Sequence, residues 1–142
     1  MDENLQPSDN KKNEAAQLEY MLQAYQERLV NVSEQIESIM SLIQKLNMER
    51  ELLENTKQIK NKNMLVNVGN ALFLDAKSAS VENVVVGIGA KLAIEKDTQS
   101  ALDLIKTRIE KITGNLNAAI AEKKKTESFI YDISYKLEQL VG

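Results

Sequence analysis

Two long stretches of the chain carry apolar residues at heptad spacing, and between them the period shortens to that of strands. In the first stretch Leu18, Tyr25, Val32, Ile39, Leu46 and Leu53 stand seven residues apart, while Leu22, Leu29, Ile36 and Ile43 follow the first four at a distance of four. In the second, Leu102, Ile109, Leu116, Ile130 and Leu137 hold one seam position and Ile105, Ile112, Ala119, Ile133 and Leu140 the other. A repeat of this kind, sustained over several heptads with polar residues between, predicts coiled-coil helices.

The pattern predicts a disordered polar tail over residues 1–8, a first helix over 9–60 capped by Ser8 or Asp9, two β-hairpins over 64–95, and a second helix over 97–140 capped by Asp97 or Thr98. In the first hairpin, strands at 64–68 and 71–77 flank Gly69 and Asn70. In the second, strands at 84–86 and 91–95 are joined across Gly87, Ile88, Gly89 and Ala90. The fold class expected is α+β, mainly α: a single domain over 1–142, built as a long antiparallel coiled-coil hairpin with two β-hairpins at its bend. A first helix of some 50 residues is about 75 Å long at 1.5 Å per residue, far beyond a globular helix, so it needs a partner helix.

Pairing the two arms around the bend sets Leu53 opposite Leu102 and Leu18 opposite Leu137. The same register brings Lys123 near Val32 and Thr126 near Leu29, a polar step partway along the seam, where a lysine can extend its head group to water. Gly114 falls at an outward position and weakens the second helix by about 1 kcal/mol without opening the seam.

Composition narrows the chemistry. His, Cys and Trp are absent from the 142 residues, which removes the commonest general base, the thiol nucleophile, disulfides and the usual ligands of structural zinc. No metal and no cofactor is expected. Carboxylate pairs such as Glu34 with Glu37 or Glu49 with Glu51 lie on exposed helix faces with no pocket to shift them, so acid–base catalysis is not expected. Eighteen basic residues against 21 acidic ones give a net charge of −3 with no basic stripe, which disfavours nucleic acid. No window approaches the roughly 20 apolar residues that span a bilayer, and the first ten residues lack the build of a secretion signal, so the expected location is cytoplasmic, away from membranes.

Two groups of residues suggest function. Four short strands leave unpaired edges, and isolated two-stranded hairpins are marginal in water, so the β segment is expected to oligomerise. Its candidate residues are Leu65, Val66, Val68, Leu72, Phe73, Leu74, Val84, Val85, Val86, Ile88, Leu92 and Ile94. The second group gathers five of the six aromatic residues at the far ends of the arms: Tyr20 and Tyr25 on the first, Phe129, Tyr131 and Tyr135 on the second. Heptad counting puts only Tyr25 in the seam, with Met21 and Phe129 at its flank. Clustered exposed apolar groups suggest an interaction surface, whereas single aromatics on a helix surface are also ordinary. Both readings stand on the residues alone. Gly87-Ile88-Gly89-Ala90-Lys91 lacks the ending of a phosphate-binding loop and reads as a turn, and Lys123-Lys124-Lys125 reads as a solvated charge run.

The stretch from Met64-Leu65-Val66-Asn67-Val68-Gly69 through Phe73-Leu74-Asp75-Ala76-Lys77, then Val84-Val85-Val86-Gly87-Ile88-Gly89-Ala90 and Ile94-Glu95-Lys96, resembles the α class of the archaeal prefoldin family, and the likeness extends over nearly the whole chain. Asn67 stands where that class often has Pro, and Asn70-Ala71 replaces part of a more Gly-rich turn. The resemblance implies an α2β4 heterohexamer with prefoldin β subunits, in which hairpins join into a β-barrel platform between subunits. It further implies an ATP-independent chaperone that holds unfolded client proteins at the coiled-coil tips, prevents their aggregation and transfers them to a group II chaperonin. The client-binding residues would be Leu18, Tyr20, Met21, Tyr25, Phe129, Tyr131, Tyr135 and Leu140. The alternative is a coiled-coil scaffold or tether that oligomerises through its β segment.

Overall fold

The computed structural model describes residues 7–78 and 81–141. Helix α1 (Pro7–Glu54) is followed by a single turn, α2 (Thr56–Ile59), then strands β1 (Asn63–Asn67), β2 (Phe73–Lys77), β3 (Asn83–Gly89) and β4 (Leu92–Asp97), and helix α3 (Thr98–Val141). Contacts along long helices are local, and the chain expected as one domain divides into two compact units, one of residues up to 40 with those from 114 onward, the other of residues 41–113.

In the first unit α1 and α3 run antiparallel along the heptad stripe. Val32, Ile36 and Ala119 are buried, with Ile39, Leu116 and Ile120 packed against them, which is the register expected from the repeat. Leu18, Leu22, Tyr25, Leu29, Ile130, Leu137 and Leu140 are half-buried, Ile133 is buried, and the intervening polar positions face solvent. A two-helix layer has one seam to close, so few side chains leave water entirely. Thr126 is 2% exposed and fills the expected polar step, its hydroxyl donating to the Glu122 carbonyl at 2.9 Å. Lys123 beside it is half-buried.

Two sequence expectations for the first helix are corrected. The helix already includes Pro7 and Ser8, so neither Ser8 nor Asp9 is its cap. A proline suits the first turn, where its fixed φ is helical and its missing N–H has no partner to lose. Residues 1–6 of the expected tail lie outside the described residues. The helix also stops at Glu54 rather than continuing to 60. Asn55 leaves helical geometry (φ −112°, ψ 22°), and its side-chain amide donates to the Glu51 carbonyl at 2.8 Å, the competition with backbone bonding that makes Asn a poor interior residue.

In the second unit Leu46, Ala101, Leu102, Ile105 and Thr56 are buried. Asp97 begins α3 as expected: one carboxylate oxygen accepts the Ser100 N–H at 2.8 Å and the other the Ser100 hydroxyl at 2.7 Å. Thr98 ties the same corner to the start of the second hairpin, donating its N–H to the Glu82 carbonyl at 2.7 Å and its hydroxyl to the Val81 carbonyl at 2.6 Å.

The strands form two separate antiparallel pairs, β1 with β2 and β3 with β4. The first is joined by residues 68–72 rather than by a two-residue turn. Val68 donates to the Leu72 carbonyl at 2.9 Å, and the Asn67 side-chain oxygen accepts the Gly69 N–H at 2.9 Å. That bond is an Asx turn, so Asn67 supplies by side-chain bonding a bend that Pro would set by its ring. The second hairpin turns later than the glycines suggest. β3 continues through Gly87 to Gly89 with a register shift between them, and the reversal falls on Gly89, Ala90 and Lys91, whose φ angles are 105°, 50° and 61°. Two non-glycine residues thus hold left-handed conformations, which are costly for residues bearing a Cβ.

Candidate functional site

The β-hairpins expose more apolar surface than a self-contained sheet tolerates. Leu65, Val66, Val68, Leu72, Phe73, Leu74, Val85, Ile88, Leu92 and Ile94 are all exposed, with Val85 at 73% and Leu65 at 69%. Only Val84 and Val86 of the proposed assembly residues are half-buried. Pairing Met64 with Ala76 and Val66 with Leu74 makes one face of the first hairpin wholly apolar, because paired residues share a face and successive ones alternate. The opposite face mixes Leu65 and Phe73 with Asn63, Asn67, Asp75 and Lys77. Each buried Val, Leu or Phe contributes about 1.5–3 kcal/mol, so covering either face has a large driving force.

On the second hairpin Val84, Val86, Ile94 and Lys96 share a face, and Val85, Glu95, Gly87 and Ala93 the other. Residues 84–87 border a groove of about 510 Å³ with Leu52, Leu53, Ala101 and Ile105, flanked by Glu49 and Arg108. Leu52 and Met48, one turn apart on α1, are 54% and 65% exposed. The heptad pattern missed these two, along with Val30 and Leu42; apolar residues off the seam positions were the available signal. Arg50 sits nearby with its Nε buried, and the Glu54 carboxylate 3.9 Å away is close enough for ion pairing but too far for a hydrogen bond.

In the first unit, Tyr20, Tyr131 and Tyr135 stand well exposed at 76%, 72% and 56%, and Met21 at 43%. Tyr25, Leu18 and Leu140 are half-buried in the seam. Phe129 is drawn inward from the flank that heptad counting gave it: its ring centroid lies 5.3 Å from that of Tyr25, and the Lys125 ammonium stands 5.8 Å from the same ring. Next to this pair, Arg28 Nε and Nη2 both donate to Glu122 Oε1, at 3.0 and 2.7 Å. The proposed client residues therefore fall into two sets, an outer one of Tyr20, Met21, Tyr131 and Tyr135 and an inner one of Leu18, Tyr25, Phe129 and Leu140.

The Asp97 carboxyl lies below its ordinary range because the Ser100 hydroxyl and N–H stabilise the charged form. Among the described residues no group of three or more acidic side chains is placed to hold a metal ion, and no helix is long and apolar enough to cross a membrane.

Known proteins share this arrangement. A solved structure of filamentous PFD from Methanocaldococcus jannaschii, determined by cryo-EM, is similar over 87% of this chain and 97% of that one, with a TM-score of 0.60 and 22% identity, a likeness of fold. No curated protein matches the chain. The prefoldin subunit family matches residues 11–142, which include both helical stripes and both hairpins. The chain belongs to the prefoldin subunit family, whose members are chaperone-type proteins.

Proposed function

We propose that this chain is an α-class prefoldin subunit that assembles through its β-hairpins with prefoldin β subunits, as an α2β4 heterohexamer in the cytoplasm. In that role it holds unfolded proteins at the ends of its helices, keeps them from aggregating and passes them to a group II chaperonin, without ATP, cofactor or enzymatic chemistry. The observation that carries the reading is the exposure of ten large apolar side chains on the two hairpins. A sheet with unpaired edges and both faces in water is a template for other strands, and closing the strands of several subunits into a barrel removes both liabilities.

The outer aromatic set supports the client-holding part. Tyrosine offers a large apolar face at small entropic cost, and several weak sites on one assembly gain strength through effective concentration while each remains easily released. Release to a chaperonin then needs competition for the client's exposed surface rather than nucleotide hydrolysis.

The experiment is suppression of aggregation of a denatured protein by the assembled complex, with Tyr20, Met21, Tyr131 and Tyr135 replaced by Ser. Protection should fall several-fold while the mass of the complex is unchanged. Equal protection by an intact complex removes these residues from client holding and favours the tether, which needs only the assembly surface.

A further inference from the structure

The exposed face of α1 changes character near its end, in the second unit. Ser41, Gln44 and Lys45 keep that face polar, and Met48 and Leu52 then follow on it, both exposed. Leu52 borders the groove of about 510 Å³ beside β3 together with Leu53, Val85, Ala101 and Ile105, so the apolar strip on the helix continues onto the strand. The rim carries one charge of each sign, Glu49 from α1 and Arg108 from α3. Among the described residues neither of them takes part in an ion pair. An apolar groove with an unmatched charge of each sign at its rim is complementary to a surface that brings large apolar side chains and both opposite charges together.

The chain itself carries such a surface. On the mixed face of the first hairpin, Leu65 and Phe73 stand with Asp75 and Lys77, all four exposed. Asp75 and Lys77 are two residues apart on β2, about 7 Å, and among the described residues neither is in an ion pair. The other faces fit less well. The face of the second hairpin that carries Val85 has Glu95 and Asp97 as its charged residues, which would meet Glu49 with like charge, and the opposite face of the first hairpin, with Met64, Val66, Leu74 and Ala76, has no charge.

We propose that the mixed face of the first hairpin of a second copy of this chain seats in the groove, with Leu65 and Phe73 covering Leu52 and Val85, Asp75 meeting Arg108, and Lys77 meeting Glu49. Burial of the apolar side chains supplies the attraction. The two charge pairs at a wet rim add little strength and instead fix which way the hairpin lies. Each copy has both surfaces, so two copies can make the contact twice about a two-fold axis. The inference deepens the assembly proposed above by naming the contact between its two like subunits, and it rests on that reading for its place in the hexamer. The apolar face of the first hairpin stays free for the other subunits.

Sedimentation equilibrium of the full chain alone, over a range of concentrations, tests the contact. The parent should form a dimer. Arg108→Glu and Asp75→Arg should each weaken the dimer about ten-fold by setting like charges together. The two combined in one chain should return it to within about three-fold of the parent, because the pair is re-formed with its signs exchanged. Leu52→Ser should weaken the dimer without altering the helical signal. Val66→Lys with Leu74→Lys, on the opposite face of the hairpin, should leave the dimer as it is while blocking assembly with a prefoldin β subunit, so the two contacts fail separately. A chain that stays monomeric at every concentration, or a dimer that ignores the single reversals or does not recover in the double one, overturns the proposal.

Discussion

Tyr25 and Phe129 meet across the helical pair with ring centroids 5.3 Å apart and planes tilted by 36°. The pair makes Phe129 part of the seam's edge, although 38% of it still faces water, so one residue serves both packing and any surface function. Tilted aromatic pairs are worth about 0.5–1.5 kcal/mol beyond their burial. Phe129→Ala should therefore lower stability by about 1–2 kcal/mol, while Tyr20→Ser and Tyr131→Ser should stay within about 0.5 kcal/mol of the parent. Denaturant unfolding separates the two sets, and equal losses for Phe129 and Tyr131 would remove the distinction between inner and outer residues.

The buried centre of the same unit should be its most sensitive part. Ile36 is 9% exposed and packs with Val32 and Ala119, and Ile36→Ala should cost about 2–4 kcal/mol. Substitution at Glu34 or Glu37, which are exposed, should have little effect on the unfolding midpoint.

Gly114 lies within α3, exposed, with open space where a Cβ would stand. Gly114→Ala should raise helix stability by about 1 kcal/mol, seen as slower amide exchange around residue 114. No gain would mean that the backbone there departs from ordinary helical geometry in solution.

The Asp97 cap makes the start of α3 sensitive to acid. Its carboxyl is held below the ordinary range by the Ser100 hydroxyl and N–H, so the folded pKa is lower than the unfolded one. The stabilisation is complete above the unfolded value and is lost as pH falls through the folded value. Amides at 100–102 should gain exchange as pH drops below the usual carboxylate range, after correction for intrinsic rates, and Asp97→Ala should show that faster exchange already at neutral pH.

Much of the helical architecture was legible because a seven-residue repeat leaves little freedom: Val32, Ile36, Leu46, Leu102, Ile105, Ala119 and Ile133 are at seam positions and are buried. Even the polar step was readable, since Thr126 interrupts the stripe at a position the register sends inward. The break at Asn55 was not, as its cause is a single side-chain bond to Glu51. Nor was the second turn. Glycine is the usual signal for a left-handed reversal, and here Gly89 is followed in that region by two residues that give no such signal, Ala90 and Lys91. For the candidate site, the apolar strands and the aromatic cluster could be found from residue type and spacing. The inward position of Phe129 depended on side-chain reach across helices, and the exposed pair Met48 and Leu52 beside the β3 groove lay outside any repeat.

Sedimentation of the full chain, alone and mixed with a prefoldin β subunit, bears most directly on assembly through the hairpins. The parent chain of 16.0 kDa should join the partner in one complex near the mass of six subunits. A chain carrying Val66→Lys and Leu74→Lys, whose paired side chains form the apolar face of the first hairpin, should keep its helical signal and fail to join. A parent chain that remains a stable 16.0 kDa monomer beside its partner, or a double-lysine variant that assembles as well as the parent, would contradict assembly through these strands.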